Sequence, residues 1–277
     1  MAGSAGSQSA SFSVFIPDVN EHGFYYNQPY TAYIDVFDQN VAFFIRENGK
    51  MDFINIDYGD SIICTYTVDG NSITAVNDES GELHFTISSD GTSLHWTEFD
   101  ATFKLSDDES IISDEEYVYI YDSSLGGYSV SAINKTQSSY GTIKTGINGR
   151  PTVKIADGAF AENDNIVTLP TIPDSVTTIG RNAFYNCDSL TSVSIPDSVT
   201  IIEYEAFRFC AGLRSLVLPK HITSLEWAVF CDCDSLTNIT FEGTMEQWEN
   251  ISKDDSWHGN LTSATEVICS DGVVSLQ

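Results

Sequence analysis

Basic residues are scarce in this sequence: 12 lysines and arginines stand against 40 aspartates and glutamates, which gives a formal net charge of −28. The acidic excess runs through the whole chain, with 21 acidic and 3 basic residues before Tyr117 and 19 and 9 after it. A surface of this charge repels the phosphates of nucleic acids and of anionic lipids. We therefore expect no nucleic-acid partner and no direct insertion into a membrane.

Long apolar runs are also missing. No stretch of 18 apolar residues occurs, so the sequence predicts no membrane-spanning helix. Residues 1–10 lack the basic and apolar segments of a signal peptide and are interpreted as a disordered leader or a cloning scar. That interpretation leaves open that a secretion signal has been removed.

Motifs for metal binding and catalysis are absent as well. The six cysteines form no C-x-x-C pair and the five histidines form no ligand-like pair, so we expect no metal site. No P-loop, G-x-S-x-G, H-E-x-x-H or dinucleotide-binding motif is present. We therefore expect no catalytic residues, no cofactor and no enzymatic activity, although the many carboxylates leave glycoside hydrolysis open.

What the sequence does contain is an internal repeat, seen when it is aligned on phenylalanines spaced by 24, 23 and 23 residues. Four further apolar columns accompany the phenylalanines, three with the same steps and the last with steps of 23, 23 and 23, and a proline recurs at Pro173, Pro196 and Pro219. The columns are Phe160, Phe184, Phe207 and Phe230; Ile155, Ile179, Ile202 and Leu225; Ile166, Leu190, Leu213 and Leu236; Leu169, Val193, Leu216 and Ile239; and Val176, Val199, Ile222 and Met245.

A unit this short cannot bury its own apolar side, so equivalent residues must stack between neighbouring units. In the second unit, Leu190, Val193 and Ile195 are predicted to point inward from a short strand. Pro196 ends that strand because it cannot donate to a ladder. The pattern predicts a solenoid of four coils.

A further column holds Cys187, Cys210 and Cys233, with Asn163 in the same place in the first unit. We interpret it as a position where a small side chain sits inside a tight turn and bonds to nearby backbone. A redox or metal role is the less favoured reading, and whether any cysteines form disulfides is left open.

The string IPDSVTTIGRNAFYNCDSLTSVSIPDSV resembles the BspA-type leucine-rich repeat, a 23-residue class found in surface and secreted proteins of gut and oral bacteria. The stretch from Gly126 to Phe160 resembles the opening coil of such arrays, and that from Phe241 to Gly272 their closing segment. Trp248, Ile251 and Trp257, assigned to a predicted short helix over 244–252, are expected to cover the last coil, and this role is preferred to carbohydrate stacking by Trp248 or Trp257. The resemblance implies adhesion to proteins or cells.

The N-terminal part has a different pattern, with short alternating runs between glycine-containing turns. It predicts an antiparallel β barrel or sandwich, and in pattern alone it resembles lipocalin-like domains of secreted proteins. A filled core is preferred to a ligand cavity; His84 and His95 lie on neighbouring runs, and Cys64 is expected to be a buried thiol. The runs are 12–16, 30–37, 40–47, 51–57, 61–68, 72–77, 82–88, 93–99 and 101–105.

The predicted fold class is therefore mainly β: a leucine-rich-repeat solenoid with few short helices, preceded by a small antiparallel barrel or sandwich. The predicted organisation is a leader (1–10), the β domain (11–105), an acidic linker (106–116) with six acids in eleven residues, the repeat domain with its caps (117–272) and a tail (273–277).

The strand positions that should point outward form a hydroxyl-rich face with one cation, suited to a polar partner. The same residues could equally be short polar side chains that tolerate close stacking. They are Thr191, Ser192, Ser194, Arg214, Ser215, Val217, Thr237, Asn238 and Thr240.

The functional hypothesis is an extracellular module, secreted or on a bacterial surface, that binds a protein or glycan of a host or neighbouring cell without catalysis. The alternative is a carrier that holds a small hydrophobic ligand in the N-terminal barrel, with the repeats as a stalk.

Overall fold

The computed structural model describes residues 29–34, 39–45, 50–55, 61–69, 71–77, 81–89, 93–99, 101–105, 111–114, 116–133, 135–259, 261 and 263–276. The chain forms two compact units. The predicted run at 12–16 lies outside the described residues. No helix in the described part of the chain is long and apolar enough to cross a membrane.

The first unit is a closed antiparallel barrel of eight strands in which each strand pairs with the next. The ring closes where Tyr30 pairs with Leu105 and Thr31 with Lys104. A 3-10 turn, Thr97–Phe99, precedes the last strand. The strands are β1 (Pro29–Ile34), β2 (Gln39–Ile45), β3 (Lys50–Asn55), β4 (Ser61–Asp69), β5 (Ser72–Asn77), β6 (Gly81–Ile87), β7 (Ser93–Trp96) and β8 (Ala101–Leu105).

Aromatic rings fill the centre of the barrel core. The ring of Phe43 lies 5.0 Å from Phe53, 4.9 Å from Phe85 and 5.7 Å from Trp96. Strands β6 and β7 alternate buried and exposed residues, as a strand with one face in the core must. Strand β2 departs from that rule, since Ala42 and Phe44 are as fully buried as their neighbours.

Part of the predicted acidic linker is ordered. Ile111–Ser113 form a short strand, β9, and Ile111 is only 9% exposed. This differs from the expected solvated segment because the two isoleucines interrupt the acidic run.

The second unit opens with an antiparallel hairpin, β10 (Tyr117–Asp122) and β11 (Gly127–Ala132). A short strand, β12 (Gly146–Ile147), pairs with the beginning of β13 (Arg150–Ile155). Strand β11 runs parallel to β13, so the hairpin starts the first parallel sheet of the solenoid.

Two parallel sheets form the solenoid because each coil contributes a strand to one or both of them. The first sheet continues from β13 through β14, β16, β18 and β20, and the second runs β15, β17, β19 and β21 with antiparallel β22 at its edge. The remaining strands are β14 (Thr178–Ile179), β15 (Ser192–Ser194), β16 (Ile201–Ile202), β17 (Ser215–Leu218), β18 (Ser224–Leu225), β19 (Asn238–Phe241), β20 (Ser252–Lys253), β21 (Glu266–Cys269) and β22 (Gly272–Ser275).

The repeated phenylalanines form a ladder of stacked rings along the core. The centroids of Phe160, Phe184, Phe207 and Phe230 are 4.9, 5.0 and 5.3 Å apart in succession, with interplanar angles of 3°, 6° and 10°. The ladder ends in edge-on rings, with Tyr140 5.0 Å from Phe160 at one end and Trp257 6.2 Å from Phe230 at the other.

Left-handed backbone recurs at fixed places in the coils. Asn182, Glu205 and Ala228 have φ of 52°, 54° and 57°, one coil apart, and Gly158 holds the same place in the first coil with φ of 64°. Glycine and asparagine tolerate this conformation best. Glutamate and alanine occupy it here because the repeating ladder of backbone hydrogen bonds fixes the turn.

The C-terminal end of the core is covered by a short helix, α1 (Met245–Glu249). Thr244 caps it, accepting from the amide of Gln247 at 3.2 Å, while the Gln247 side chain accepts from the amide of Thr244 at 2.9 Å. Trp248 and Trp257 are 2% and 4% exposed and lie 5.5 Å apart.

The fold class predicted from the sequence is confirmed, but two details were wrong. The first sheet shows five rungs rather than four, because Ser252–Lys253 pair with β18 and complete a fifth coil. The step from Leu225 to Lys253 is 28 residues, which hid that coil from a search for steps of 23. The predicted helix over 244–252 is also shorter, since its last residues join this rung.

Candidate binding surface

The second parallel sheet presents one solvent-facing surface, which we call the sheet face. Its inward residues Val193, Leu216, Ile239 and Val267 are at most 1% exposed. The parallel register aligns successive strands residue by residue, so the outward residues form straight rows across the coils. The sheet face is therefore a regular surface fixed by the core beneath it.

The nine residues predicted to point outward are all exposed or partly exposed. Ser192, Ser215 and Asn238 form one row, and Ser194, Val217 and Thr240 form the next. Thr191, Arg214 and Thr237 precede the strands, joined by backbone bonds of 2.9 and 3.1 Å. The structure thus brings all nine onto one surface.

One of these residues is engaged within the array itself. The hydroxyl of Thr237 donates to the carbonyl of Arg214 at 3.3 Å. This bond supports, at that position, the reading that short polar side chains stabilise the stacked backbone.

The sheet face extends beyond the nine residues predicted from the sequence. Ile268 pairs with Thr240 on one side and with Val273 on the other, which continues the row from Val217. Ile268 and Val273 are each 50% exposed. The alternation of EVIC and GVVS is a signal for two strands, but EVIC was assigned to the predicted closing segment and most of GVVS to the predicted tail.

The cysteine column lies in the core and is unsuited to metal or nucleophilic chemistry. The thiols of Cys187, Cys210 and Cys233 donate to the carbonyls of Phe160, Phe184 and Phe207 at 3.2, 3.1 and 3.1 Å. All six cysteines are free thiols. Within the described residues, no group of three or more His, Cys, Asp or Glu side chains could hold a metal ion.

The thiol pKa values point the same way. The neighbouring Cys210 thiol and burial raise the pKa of Cys187, and burial raises that of Cys210 well above its usual value. Burial also raises the pKa of Cys64, Cys231 and Cys269. Since the thiolate is the reactive form, none of these five is activated as a nucleophile.

In the first coil, Asn163 takes the position that cysteine holds in the next three coils. Its side-chain nitrogen donates to the carbonyl of Gln137 at 3.0 Å and to the hydroxyl of Tyr140 at 2.8 Å. Its oxygen accepts from the amides of Asn165 and Ile166 at 3.0 and 3.2 Å. An amide can satisfy both the opening segment and the turn, which a thiol could not.

The two barrel histidines contact different side chains. His84 lies opposite Thr74, and its Nδ1 is 2.5 Å from Glu98 Oε1. His95 lies opposite Thr86 and contacts the hydroxyl of Thr102 at 3.2 Å. His84 thus has a carboxylate as its neighbour and His95 a hydroxyl.

The barrel interior bears on the carrier alternative. Its described core is an apolar cluster in which Phe43, Phe85 and Trp96 are at most 4% exposed and Phe53 packs against them. These rings pack against one another inside the barrel, and the structure gives the carrier alternative no support.

The family model of the BspA type leucine-rich repeat region matches residues 149–255 in six copies. Residues 149–255 of the solenoid are thus similar to the BspA type leucine-rich repeat. A search of curated proteins finds no match.

Several solved structures are similar to the chain. A leucine-rich-repeat protein of T. pallidum is 26% identical with a TM-score of 0.42, and the match covers 46% of this chain and 59% of that one. A leucine-rich cell surface protein of Faecalibacterium prausnitzii A2-165 (24% identity, TM-score 0.39) and a leucine-rich-repeat protein of Bacteroides ovatus ATCC 8483 (24% identity, TM-score 0.38) each match over 54% of this chain, covering 44% and 45% of their own chains. The chain spans about half the length of these proteins.

Proposed function

We propose that this protein is an extracellular interaction module whose sheet face binds a protein or a glycan, without catalysis. The observation that carries the proposal is a solvent-facing parallel sheet over buried inward residues, with hydroxyl rows beside an exposed apolar pair. Loops and surfaces held by a rigid scaffold are where binding function concentrates. The BspA-like repeat type supports a location on a bacterial surface or outside the cell.

The chemistry of the sheet face favours a protein over a glycan. Serine, threonine and asparagine hydroxyls and amides suit hydrogen bonding with either partner. The exposed pair Ile268 and Val273 adds apolar surface next to Val217 and Thr240, which suits the apolar centre of a protein interface. Arg214 supplies the one cation among the predicted face residues.

The test uses two variants of the sheet face and one matched control. Thr240→Arg places a long charged side chain in the middle of the face, and Ile268→Ala removes half of its apolar pair. Thr177→Arg is the matched control, because it places the same charged side chain at an exposed threonine just before β14 of the first parallel sheet. The purified chain and the three variants are assayed against extracellular matrix proteins, bacterial cells and a glycan array.

Binding that is lost in both sheet-face variants and kept in Thr177→Arg supports the proposal. Binding in the glycan array alone would show that the partner of the sheet face is a glycan and not a protein. Silence of the parent chain across all three assays, or equal binding by Thr240→Arg and Thr177→Arg, overturns the sheet face as the binding surface.

A further inference from the structure

A second surface of the solenoid carries exposed aromatic rings. Among the described residues, seven large hydrophobic side chains are exposed, and only Tyr204 and Trp227 of these are aromatic. They occupy the same position in consecutive coils, just after β16 and β18. Their exposed fractions are 39% and 38%, and their rings stack with centroids 4.8 Å apart at 22°. We call them the ring pair.

The ring pair is not required by the core. The phenylalanine ladder beneath it is complete without these rings, and the same position holds Asp157 and Arg181 in the two preceding coils. The architecture therefore accepts a charged side chain here. Exposed tryptophan and tyrosine are residue types that concentrate the binding energy of protein interfaces.

The stack ends at Trp227. The amide of Glu226 donates to the carbonyl of Ile202, and the amide of Asp254 donates in the same way to that of Leu225, both at 3.1 Å. By this register Asp254 follows Glu226 and Asp255 follows Trp227 in the last coil. The corresponding residue of the last coil is thus an exposed aspartate and not an aromatic residue.

Three carboxylates near the ring pair have no cation. The side chain of Glu226 accepts from the amide of Tyr204 at 3.1 Å, and that of Asp254 accepts from the amide of Ser256 at 2.9 Å. Within the described part of the chain, no lysine, arginine or histidine forms an ion pair with Glu226, Asp254 or Asp255. Negative charge beside exposed rings is complementary to a cation.

The chain itself shows how a cation binds on this side of the solenoid. The Arg208 guanidinium lies 5.5 Å from the centroid of Trp227 and 4.5 Å from that of Phe209. It forms ion pairs with Glu205 and, at 3.1 Å, with Asp232. One tryptophan contact with a cation is therefore already made, between carboxylates, at the edge of the ring pair.

We propose that the ring pair, with Glu226, Asp254 and Asp255, is a docking site for a lysine or arginine side chain on a basic segment of a partner protein. The proposal deepens the interaction function proposed above and uses a surface distinct from the sheet face. The cation would continue the stack beyond Trp227 and form ion pairs with these carboxylates. The net charge of −28 adds long-range attraction for the same class of partner.

The probe is a ten-residue peptide of alternating glycine and arginine, with a lysine peptide and a glutamate peptide of equal length for comparison. Trp227 is a built-in reporter, since the other tryptophans, Trp96, Trp248 and Trp257, are only 4%, 2% and 4% exposed. We expect the arginine and lysine peptides to change tryptophan emission and the glutamate peptide to leave it unchanged.

Affinities are measured by anisotropy of labelled peptide, which does not depend on Trp227. Tyr204→Ala and Trp227→Ala should each weaken binding by about two- to five-fold, the range of an exposed cation–π contact, and Trp227→Phe should restore part of the loss. Circular dichroism spectra and melting curves like those of the parent chain establish that each variant is folded.

A matched pair of variants separates binding at the ring pair from general attraction of a basic peptide to an acidic protein. Asp255→Asn and Asp197→Asn remove one exposed carboxylate each, but only Asp255 neighbours Trp227 in register. Asp255→Asn should weaken binding about two-fold more than Asp197→Asn, and raised salt should reduce that difference. Equal effects of the two, or unchanged affinity in Trp227→Ala, overturn the ring-pair site.

The outcome is independent of the sheet face. Ile268→Ala should leave peptide affinity unchanged, so a loss confined to ring-pair variants identifies this surface. Binding of a neutral oligosaccharide at Trp227 with no response to either basic peptide would overturn the basic partner. Failure of every sheet-face assay with intact peptide binding would reject the sheet face and leave this proposal standing.

Discussion

The barrel and the solenoid bury aromatic cores of similar chemistry in opposite ways. In the barrel, unlike residues from different strands meet, as where Phe43 contacts Phe53, Phe85 and Trp96 at angles between 50° and 89°. In the solenoid, identical residues of neighbouring coils contact each other, and Phe184 stacks on Phe207 at an interplanar angle of 6°. The barrel core closes through a pairing of the first strand with the last, whereas each coil of the solenoid packs on its neighbours.

The two kinds of core predict how far the effect of a single substitution should spread through each unit. Contacts in a solenoid link each repeat only to the next, so stability is approximately a sum of coil and interface contributions. A closed barrel has no free edge, and opening any strand breaks the ring. The following predictions test that contrast.

The largest effect is expected from Phe207→Ala in the middle of the ladder. Loss of a fully buried ring should lower the free energy of unfolding of the solenoid by about 3–5 kcal/mol. Hydrogen exchange should rise first in the coils of Phe184 and Phe230 and least in the β10–β11 hairpin. Tyr204→Ala, with its exposed ring, is the control and should lower stability by no more than about 1 kcal/mol. Uniform exchange throughout the solenoid would contradict the coil-by-coil picture.

The counterpart in the barrel is Phe43→Ala. The loss of stability should also be about 3–5 kcal/mol at most, moderated if Phe53 and Trp96 move into the space. Exchange should rise together in β1 to β8, because the ring opens as a unit. Val76→Ala, 41% exposed, is the control. If exchange rises only in β2 and its two neighbours, the barrel behaves like the solenoid and the contrast fails.

A smaller effect is expected at the end of the solenoid from Thr244→Ala. The change removes the acceptor for the amide of Gln247 and should lower stability by about 1 kcal/mol. Chemical denaturation measures the change, and hydrogen exchange should place it in α1 and the last coil. Thr244→Ser keeps the hydroxyl and should behave like the parent chain. A loss shared by all coils would show that the cap governs the whole array.

The smallest effect is a pH dependence at His258. Burial lowers the pKa of this imidazole from its usual 6.5, and its Nδ1 is buried without a hydrogen-bond partner. The folded state therefore favours the neutral ring: this stability is complete above pH 6.5 and is lost as pH falls through the lowered pKa. Unfolding curves between pH 7 and pH 5 should show the decline in the parent chain and a weaker one in His258→Gln. Equal declines in both would assign the pH dependence to other groups.

The sequence predicted the solenoid better than its ends. The phenylalanine columns identified four coils, since stacking requires the same residue at the same place in every coil. The fifth coil was missed because α1 lengthens the step and no phenylalanine follows Phe230 at the same position in that coil. The extension of the sheet face to Ile268 and Val273 was missed for the same reason, since β21 and β22 lie beyond the regular period.

In the barrel, seven of the nine predicted strand runs match described strands to within a few residues, because alternation and glycine turns are local signals. The run at 12–16 lies outside the described residues, and that at 93–99 is cut short by a 3-10 turn after Trp96. The choice between a barrel and a sandwich depended on the pairing of β1 with β8. No local pattern records a contact between residues that far apart in the chain.

The sequence by itself determined the repeat, its period, the buried columns and the acidic charge, because stacked identical coils turn a three-dimensional contact into a fixed spacing along the chain. Only the tertiary structure decided that the barrel closes, that aromatic rings pack against one another inside it, and that the stacked rings of Tyr204 and Trp227 are exposed. Those features depend on side chains of different elements, and their geometry exists only once the chain has folded.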